Sequence, residues 1–586
     1  MAGKKLGETM KRIAAVFALL ALAACAPRPK LPEAPPAVDE ATVRTVSGGQ
    51  LIGFTDQATG AHVWRDIPFA APPVGPLRWR APRPAPAWKD TGVRDATPQA
   101  PWCPQQLSAL DGAPKADWGK VVGQEDCLYL NIYAPPMSAD AAATAKLPVM
   151  VWIHGGSNTW GRAEQYDGGA LAARFKVVVV VIQYRLGALG WMSSPALREG
   201  GTLPEDAAAN FGTLDQIRAL EWVKQDIAAF GGDNSRVTIF GESAGGQNVA
   251  ALLASPRAKG LFQRAIVESG GFDSTPVAEA EQTDPFASAK VAPLIVGAGK
   301  PVTGETLRAA PLSAVFAAYN SADYKPVRMI DDGVVLPAEG IRAAIARPET
   351  FNAVPVITGT NHDEMKLFNA LNPKLVNFLF GKLPLIKDKG LYEAASDYPT
   401  RMWRVNAVDR SAEAMTAGGH PAVWTYRFDW DEEGKVLGVD LGRLLGAGHS
   451  LEIPFVFGHW ELLGSFDKVA FTKGNAPTRI ALSDAMMSYW VQFATTGDPG
   501  RGVDGKLPLW SPWTVDAAAP RTMIFDTPKG GGVRVAPEAD SGAKVVNDLW
   551  KDPALKTLDQ RCELLARTVW NNDELKGLQA GRCKSK

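Results

Sequence analysis

Two long apolar runs dominate the hydrophobic pattern of the chain and predict buried β-strands. Leu147–Ile153 reads LPVMVWI and residues 177–184 read VVVVVIQY, both nearly unbroken and rich in β-branched residues. Such runs are typical of strands that are covered on both faces of a parallel sheet. Shorter apolar runs predict three more strands at residues 237–240, Arg264–Glu268 and 354–358.

Helical patterns separate these predicted strands. Apolar residues recur at spacings of three and four before Gly231, at Leu214, Ile217, Leu220, Val223 and Ile227. They predict an amphipathic helix that ends before Gly231. A second helical stretch is predicted over residues 247–253. Because strands alternate with helices, we expect right-handed crossovers and the α/β class, with a large, mostly parallel, doubly wound sheet.

Two segments interrupt this alternation with a less regular pattern. They cover residues 274–348 and 372–410. Insertions of this kind on an α/β core either form a cap or the wall of an active-site gorge, or serve as connectors with no functional role. The sequence alone leaves both interpretations open.

The N-terminus has the pattern of a targeting segment. Met10-Lys11-Arg12 precedes an apolar run over residues 13–24, which is too short to span a bilayer and suits a signal peptide at residues 1–24. The small residues before Cys25 resemble the lipobox of bacterial lipoproteins, although an ordinary secretory signal with an incidental cysteine is the alternative. Residues 25–40 are rich in proline and predict an extended tether. We therefore expect an exported lipoprotein, lipidated at Cys25, that faces the periplasm or the cell exterior.

Charge and composition exclude several classes of function. Apolar residues make up 46% and charged residues 21%, which is typical of a globular protein. Basic and acidic side chains number 62 each, and no basic stripe predicts a nucleic-acid partner. Removal of residues 1–24 would take away four basic side chains and one acidic one, for a net charge of −3. Membrane attachment would therefore depend on lipid rather than on charge.

The five cysteines are consistent with export. With Cys25 assigned to lipid, four remain, and four cysteines allow three pairings. The local pairing, Cys103–Cys127 and Cys562–Cys583, would close two short loops, each worth ~3 kcal/mol through loop-closure entropy. No cysteine or histidine cluster has zinc-binding spacing, so we expect no metal ligation by these thiols.

The predicted catalytic chemistry begins at Ser243. Gly241-Glu242-Ser243-Ala244-Gly245 matches G-x-S-x-G and lies between a predicted strand and a predicted helix. In that context the motif predicts a nucleophile elbow, in which the glycines allow a tight turn and the serine projects from it. The alternative is a glycine-rich turn with an idle serine.

A base and an acid are expected after the serine. Ser–acid–His order leaves four of the six histidines as candidates, namely 362, 420, 449 and 459. His449 ends a glycine-rich turn, whereas His362 lies too near the acid candidates to preserve the order. The acid is expected just after the strand at 354–358, and periodicity does not choose between Asp363 and Glu364.

Backbone donors for an oxyanion are predicted after the strand Leu147–Ile153. His154-Gly155-Gly156-Ser157 follows that strand directly, and its glycines would let the backbone approach a substrate carbonyl. Together with the Ala244 N–H, this turn would form an oxyanion hole, in which each donor is worth roughly 10²–10³ in rate. We expect His154 to be a structural hydrogen bonder.

Taken together, these motifs resemble the type-B carboxylesterase/cholinesterase family over about residues 68–513. The matching motifs are Glu125-Asp126-Cys127-Leu128-Tyr129-Leu130-Asn131, the His154-Gly155-Gly156 turn, the GESAGG run at 241–246, Gly448-His449-Ser450-Leu451-Glu452, Phe455-Val456-Phe457-Gly458 and Phe493-Ala494-Thr495-Thr496-Gly497-Asp498-Pro499. The resemblance implies one α/β-hydrolase domain over residues 41–586, with helical cap or gorge insertions. It also implies cofactor-free hydrolysis of a small-molecule ester.

The family resemblance also implies roles for individual residues. It assigns Ser243, Glu364 and His449 to a catalytic triad, preferring Glu364 because the family's acid is the Glu of an Asp-Glu pair. It also implies an oxyanion hole formed by Gly156, Ser157 and Ala244, and supporting roles for Ser269, Glu242 and Gly155. Finally, it implies a Cys103–Cys127 disulfide beside the gorge.

The chain departs from the family pattern at several positions. Ser157 stands where the family has Gly or Ala, Gln247 where it has a small residue, and Met365 where Gly commonly follows the acid. Trp118 lies near the position of the choline-stacking Trp of cholinesterases, but in a shorter loop, so we do not expect it to bind a cation.

Two rival functions are compatible with the sequence. One is a specialised hydrolase or transacylase for one polyester, aryl ester or lactone, which Ser157, Gln247 and Trp160 suggest. The other is a non-catalytic binding protein. Oligomeric state and natural substrate are not predicted.

Overall fold

The computed structural model describes residues 35–108, 113–320, 328–379, 383–462, 464–516 and 518–569, together with 575, 577 and 581–583. The predicted signal peptide, Cys25 and most of the tether lie outside the described residues. No helix within the described ranges is both long enough and apolar enough to cross a membrane.

One sheet of eleven strands organises the described chain. In chain order its strands are β1 (Phe54–Thr55), β2 (His62–Pro68), β3 (Tyr129–Ala134), β4 (Leu147–Ile153), β5 (Val178–Ile182), β6 (Gly232–Glu242), β7 (Arg264–Glu268), β8 (Val356–Asn361), β9 (Val423–Phe428), β10 (Thr522–Phe525) and β11 (Arg534–Ala536). Their order across the sheet is β11-β10-β9-β8-β7-β6-β4-β5-β3-β2-β1. The seven strands from β4 to β10 are parallel, and antiparallel strands flank them on both sides. The expected α/β-hydrolase architecture is therefore confirmed.

The parallel strands reverse their order beside β4. The chain passes from β4 to β5 on one side and then crosses back to β6 on the other. In open α/β sheets, ligands bind outside the carboxyl ends of the strands at such a switch point. The ends of β4 and β6 are where the sequence places the predicted oxyanion turn and the predicted nucleophile.

The predicted strands agree closely with the observed ones. The bounds of β4 and β7 match the prediction, and β8 begins and ends slightly later than expected. Strand β6 starts five residues early, at Gly232, and its pairing with β4 is irregular between Gly232 and Val237. The residues before Val237 are mostly polar, so the hydrophobic pattern did not predict this extension.

Both faces of the sheet are buried, as the apolar runs predict. In β4, Val149, Val151 and Ile153 belong to one core cluster, whereas Met150 and Trp152 belong to the other. Successive side chains of a strand point to opposite faces, so an unbroken apolar run supplies both layers. Helices that contribute to these two clusters include Gly169–Phe175, Gly187–Gly190, Pro195–Arg198, Phe211–Asp226, Ala244–Ala254, Ile341–Ala344, Arg410–Ala417, Ile453–Phe457 and Ala476–Thr496. A third cluster contains residues of helices Leu441–Leu444, Gly542–Lys551 and Leu558–Thr568. Two further helices are Ala139–Ala145 and Asp467–Ala470.

The two interrupting segments are more regular than the sequence pattern suggests. Residues 274–348 contain helices Ser288–Val296, Gly304–Ala309 and Leu312–Asn320. Residues 372–410 contain the paired strands Val376–Leu379 and Leu383–Ile386, then helix Lys389–Arg404. That last helix has Pro399 in its interior, and small and polar residues make up much of its buried face. Because a proline disfavours a helix interior, the sequence did not predict this helix.

Two disulfides are present, in the local pairing. Cys103 and Cys127 are both buried in the main core. The Cys562–Cys583 disulfide holds helix Leu558–Thr568, which packs against helix Lys389–Arg404. Trp118, in the first disulfide loop, has a 46% exposed side chain and donates its indole N–H to the Ala113 carbonyl.

Candidate active site

Ser243 lies on a sharp turn between β6 and helix Ala244–Ala254. Its backbone has φ 58° and ψ −121°, a region that residues with a side chain rarely adopt. The turn is held by a hydrogen bond from the Ser243 N–H to the Glu268 carbonyl, at 2.8 Å. The side chain is half-buried. The strand, turn and helix therefore follow the order predicted from the motif.

The two glycines of the motif are required by close contact with β4. A Cβ on either Gly241 or Gly245 would lie less than 3.0 Å from the carbonyl oxygen of Ile153, a separation that real Cβ atoms essentially never show. The Ser243 turn therefore packs directly on the end of β4, where the predicted oxyanion turn begins.

That second turn also packs against the serine. A Cβ on Gly155 would lie 2.7 Å from the Glu242 carbonyl oxygen and 3.3 Å from the Ser243 Cβ. Gly156, at φ 90°, accepts hydrogen bonds at its carbonyl from the N–H groups of Thr159 and Trp160. Ser157 follows at φ 55°, so its side chain occupies a position where glycine is usual.

His154 is buried beneath this turn, away from the triad candidates. Its ring stacks on Tyr184 at a centroid distance of 4.4 Å, and Nδ1 lies 3.0 Å from the Gly155 carbonyl oxygen. Burial lowers the pKa of His154 to about 4, so the ring is neutral at physiological pH.

His449 contacts Glu364, and not Asp363. Nδ1 of His449 lies 2.5 Å from Oε2 of Glu364, and both side chains are buried. Oε1 of Glu364 accepts hydrogen bonds from the Asn361 N–H at 2.8 Å and from Ser269 Oγ at 2.6 Å. The Glu364 carboxylate is thus held at both oxygens.

Asp363 has a different set of partners. Its carboxylate lies 3.1 Å from Lys366 Nζ and 3.2 Å from His362 Nδ1, and it accepts a hydrogen bond from the Ala447 N–H. The contact with Ala447 connects the segment that carries Glu364 to the loop that carries His449. Sequence spacing could not separate the two adjacent acids, because the first turn of helix Glu364–Ala370 decides which of them points at the histidine.

A second carboxylate faces the other edge of the His449 ring. Oε1 of Glu242 lies 3.2 Å from Nε2 of His449 and accepts a hydrogen bond from Ser450 Oγ at 2.8 Å. Among the described residues, no hydrogen bond joins Ser243 Oγ to His449. Catalytic hydrogen bonds are often long in unliganded sites and tighten when substrate binds.

A third and a fourth carboxyl group lie behind this pair. Oε2 of Glu452 accepts from Asn361 Nδ2 at 2.6 Å, and Oε1 of Glu268 accepts from Trp490 Nε1 at 2.8 Å. The sequence singled out neither Glu268 nor Asn361, and it noted Glu452 only as a neighbour of His449. For these three residues, the position of Glu452, three residues after His449, was the one sequence signal that could have indicated a place in the site.

Burial and mutual charge shift the pKa values of these groups. Burial favours the neutral form of His449, but the charges of Glu242 and Glu364 and the Glu364 hydrogen bond outweigh it and raise its pKa to about 9. Burial, aided by the charge of Glu364, raises the pKa of Glu242 to about 7 against the attraction of His449. Burial also raises the pKa of Glu268 to about 8 and that of Glu452 well above its usual range. The imidazole thus lies between two carboxyl groups, and burial favours the protonated form of the carboxyl groups behind them.

Two aromatic side chains that the sequence did not predict pack on the His449 ring. Phe368 and Trp403 have ring centroids 5.3 Å and 4.9 Å from it. Trp403 donates its indole N–H to the Ser269 carbonyl at 3.2 Å. Trp403 comes from helix Lys389–Arg404, so the second interrupting segment does supply a wall of this site.

The residues that depart from the family pattern also have partners here. Gln247 donates its side-chain amide to the Asp273 carbonyl at 3.0 Å, where the first interrupting segment begins. The Met365 N–H donates to Thr400 Oγ1 at 3.0 Å, on helix Lys389–Arg404. No group of three or more His, Cys, Asp or Glu side chains in the described part of the chain could hold a metal ion.

Comparison with known proteins shows the family. The profile of the carboxylesterase family matches residues 39–380 and 386–530. The chain is 34% identical over 485 residues to the para-nitrobenzyl esterase of Bacillus subtilis (strain 168), covering 78% of this chain and 90% of that protein. It is also 34% identical over 524 residues to the cocaine esterase of Homo sapiens, covering 80% and 85% of the two chains.

Solved structures of esterases have the same fold. A PNB esterase structure superposes with a TM-score of 0.65 at 31% identity, covering 86% of this chain and 99% of that one. A Geobacillus stearothermophilus carboxylesterase superposes with the same TM-score and identity, covering 84% and 97%. The chain therefore belongs to the carboxylesterase family of α/β-hydrolases and is a carboxylic-ester hydrolase with a serine nucleophile.

Proposed function

We propose that Ser243, His449 and Glu364 form the catalytic triad of this esterase. Ser243 Oγ attacks the ester carbonyl carbon while its proton passes to His449 Nε2, and Glu364 holds the ring through Nδ1. The tetrahedral intermediate collapses as Nε2 returns the proton to the departing alcohol, which leaves an acyl-enzyme on Ser243. Water then attacks with the same proton transfers and releases the acid. The observation that carries the proposal is the buried 2.5 Å contact between His449 and Glu364, beside the strained turn of Ser243.

The N–H groups of Gly156, Ser157 and Ala244 are proposed to stabilise the oxyanion. Support comes from the packing of Gly155 against the Ser243 Cβ and from the position of Ala244 at the start of a helix. Unpaired N–H groups at a helix N-terminus favour negative charge. Each such donor is typically worth roughly 10²–10³ in rate.

Ser269 and Glu242 are proposed to support the triad, and Gly155 to let the two turns meet. The Ser269 hydroxyl donates to Glu364 Oε1, which leaves Oε2 for His449. Glu242 offers Nε2 of His449 a negative charge at 3.2 Å. Both contacts favour the imidazolium that forms as Ser243 loses its proton.

Export as a lipoprotein is a second part of the proposal. Residues 1–24 would be removed as a signal peptide, Cys25 would carry the lipid, and residues 25–40 would tether the enzyme to the membrane. Two disulfides are typical of proteins from oxidising compartments, and this supports export.

The test of the triad begins with a chain of residues 26–586, which keeps every described residue. Hydrolysis of p-nitrophenyl acetate, butyrate and octanoate should be measured for the parent and for Ser243→Ala. We expect the substitution to reduce kcat by about 10⁴-fold or more, because it removes the nucleophile. Ser235→Ala, at an exposed serine near the start of β6, is the matched control and should retain parental turnover.

Normal ester turnover by Ser243→Ala would overturn the proposal. The chain-length profile separates a broad esterase from a specialised one, since a narrow enzyme would accept few of the three esters. If the parent is inert on all three, labelling of Ser243 by a fluorophosphonate would indicate a narrow substrate. Absence of labelling would contradict the assigned nucleophile.

A further inference from the structure

Ser450 carries a side chain where the backbone favours glycine. It directly follows His449 and has φ 68°, in the left-handed region that residues with a Cβ adopt only at a conformational cost. A glycine would take the same backbone conformation without that cost. Any contribution of the Ser450 side chain to the site must therefore come from what its hydroxyl contacts.

The hydroxyl contacts the carboxylate oxygen that faces the histidine. Ser450 Oγ donates to Oε1 of Glu242 at 2.8 Å, and that same oxygen lies 3.2 Å from Nε2 of His449. Glu242 is only 2% exposed. One buried oxygen thus bridges the serine hydroxyl and the ring nitrogen that must exchange a proton with the nucleophile.

We propose that Ser450 is a positioning residue that acts through Glu242 on His449. Its hydrogen bond holds Oε1 of Glu242 against Nε2, so that the imidazolium has one carboxylate at each ring nitrogen. The inference rests on the proposed function, because it takes His449 as the catalytic base. It adds a residue that touches neither the substrate nor the reacting atoms.

The charge balance of the cluster indicates how Ser450 acts. A hydrogen bond to a carboxylate favours its ionised form, and here it opposes the burial and the neighbouring acids that favour protonation of Glu242. Without that bond, Glu242 would take up a proton more readily, and His449 would lose part of the charge that raises its pKa. The titratable groups that face this pair are Glu364, Glu268, Glu452, Tyr166 and Tyr426.

The test is the pH dependence of kcat/KM for p-nitrophenyl butyrate, whose acidic limb reports the base of the free enzyme. Ser450→Gly should move the pKa of that limb downward by roughly half a pH unit, since a weakened charge at Nε2 makes His449 a weaker base. Ser450→Ala, which removes the hydroxyl but keeps the Cβ, should move the limb as far as Ser450→Gly does, because the shift depends on the hydroxyl and not on the backbone. Glu242→Gln should move the limb further in the same direction.

A double variant tests whether Ser450 acts through Glu242. Ser450→Gly combined with Glu242→Gln should match Glu242→Gln alone, because the serine then has no carboxylate to hold. Ser255→Ala is the matched control: its buried hydroxyl donates to the Val335 carbonyl, so its loss should leave the pH profile unchanged even if Tm falls. Melting curves of each variant confirm that the profiles come from folded protein.

Two results would overturn the inference. One is an acidic limb that does not move in Ser450→Gly, and the other is a shift that adds to that of Glu242→Gln. Either result, with Ser243→Ala inactive, would remove the role of Ser450 and leave the triad intact. Full activity of Ser243→Ala would instead remove the proposed function itself.

Discussion

Four side chains contact the His449 ring. Glu364 lies at Nδ1, Glu242 lies at Nε2, and Phe368 and Trp403 pack on the ring. A fully buried imidazole would otherwise remain neutral, because burial opposes its charge. The two carboxyl groups reverse that preference and raise the pKa of His449, which favours the proton transfer of the proposed mechanism.

Replacing the acid at Nδ1 should remove most of this effect. In Glu364→Gln the amide is neutral and can present its N–H₂ to Nδ1, which would favour the wrong tautomer of His449. We expect kcat to fall by roughly 10⁴-fold with the fold retained, by analogy with the effect of an amide in a serine-protease triad. Steady-state kinetics with p-nitrophenyl butyrate and a melting curve check both statements.

The adjacent acid supplies the control for that substitution. Asp363→Asn changes a half-buried carboxylate one residue away, whose partners are Lys366, His362 and the Ala447 N–H. Its kcat should stay close to the parental value. A large loss of kcat in Asp363→Asn, with little loss in Glu364→Gln, would reverse the assignment of the acid.

The elbow from β6 to helix Ala244–Ala254 depends on contact between adjacent elements. In Gly245→Ala the new methyl group would clash with the Ile153 carbonyl at the end of β4. We expect destabilisation of about 3 kcal/mol, the upper end of overpacking costs, together with a loss of kcat as Ser243 moves. Thermal melting and ester hydrolysis measure the two effects.

Gly271 offers a matched glycine for comparison. A Cβ there would meet only the Asp273 carboxylate, at 3.9 Å, and its φ lies outside the left-handed region. Gly271→Ala should therefore leave both Tm and kcat near parental values. If Gly245→Ala kept Tm and kcat as close to the parental values as Gly271→Ala does, the tight packing of the elbow on β4 would be contradicted.

The same elements show what the sequence could and could not predict. Strands such as β4 were predictable because burial on both faces requires an unbroken apolar run. The elbow was predictable because its glycines are required at fixed offsets from the serine. Helix Lys389–Arg404 was not predictable, since Pro399 in its interior argues against a helix, and the position of Trp403 could therefore not be predicted either. The choice between Asp363 and Glu364 depends on side-chain direction, which spacing does not encode.

Across the whole molecule, the site gathers residues from distant parts of the chain. Ser243 follows β6, Glu364 lies just beyond β8, and His449 belongs to the loop after β9. The intervening segments supply helix Lys389–Arg404, which the C-terminal helices and the Cys562–Cys583 disulfide hold in place. The wall of the site thus depends on packing at the far end of the sequence.

The proposed lipid anchor is a property of the whole molecule and has its own test. Full-length protein expressed in a bacterial host should sediment with membranes, and its N-terminal peptide should begin at an acylated Cys25. Cys25→Ala should remove the acyl group and prevent membrane retention through lipid. Fractionation and peptide mass spectrometry measure both. A parent without acylation, released without detergent, would favour the ordinary secretory signal.

The order of the site residues along the chain also has a consequence for biosynthesis. The proposed nucleophile emerges from the ribosome about 200 residues before its proposed base, an interval of roughly 10 to 40 seconds at ordinary translation rates. During that interval the nascent chain contains Ser243 without His449 or the strands that hold it. The proposed triad therefore cannot assemble before residue 449 has been made, and a ribosome that stalls earlier leaves a fragment without it.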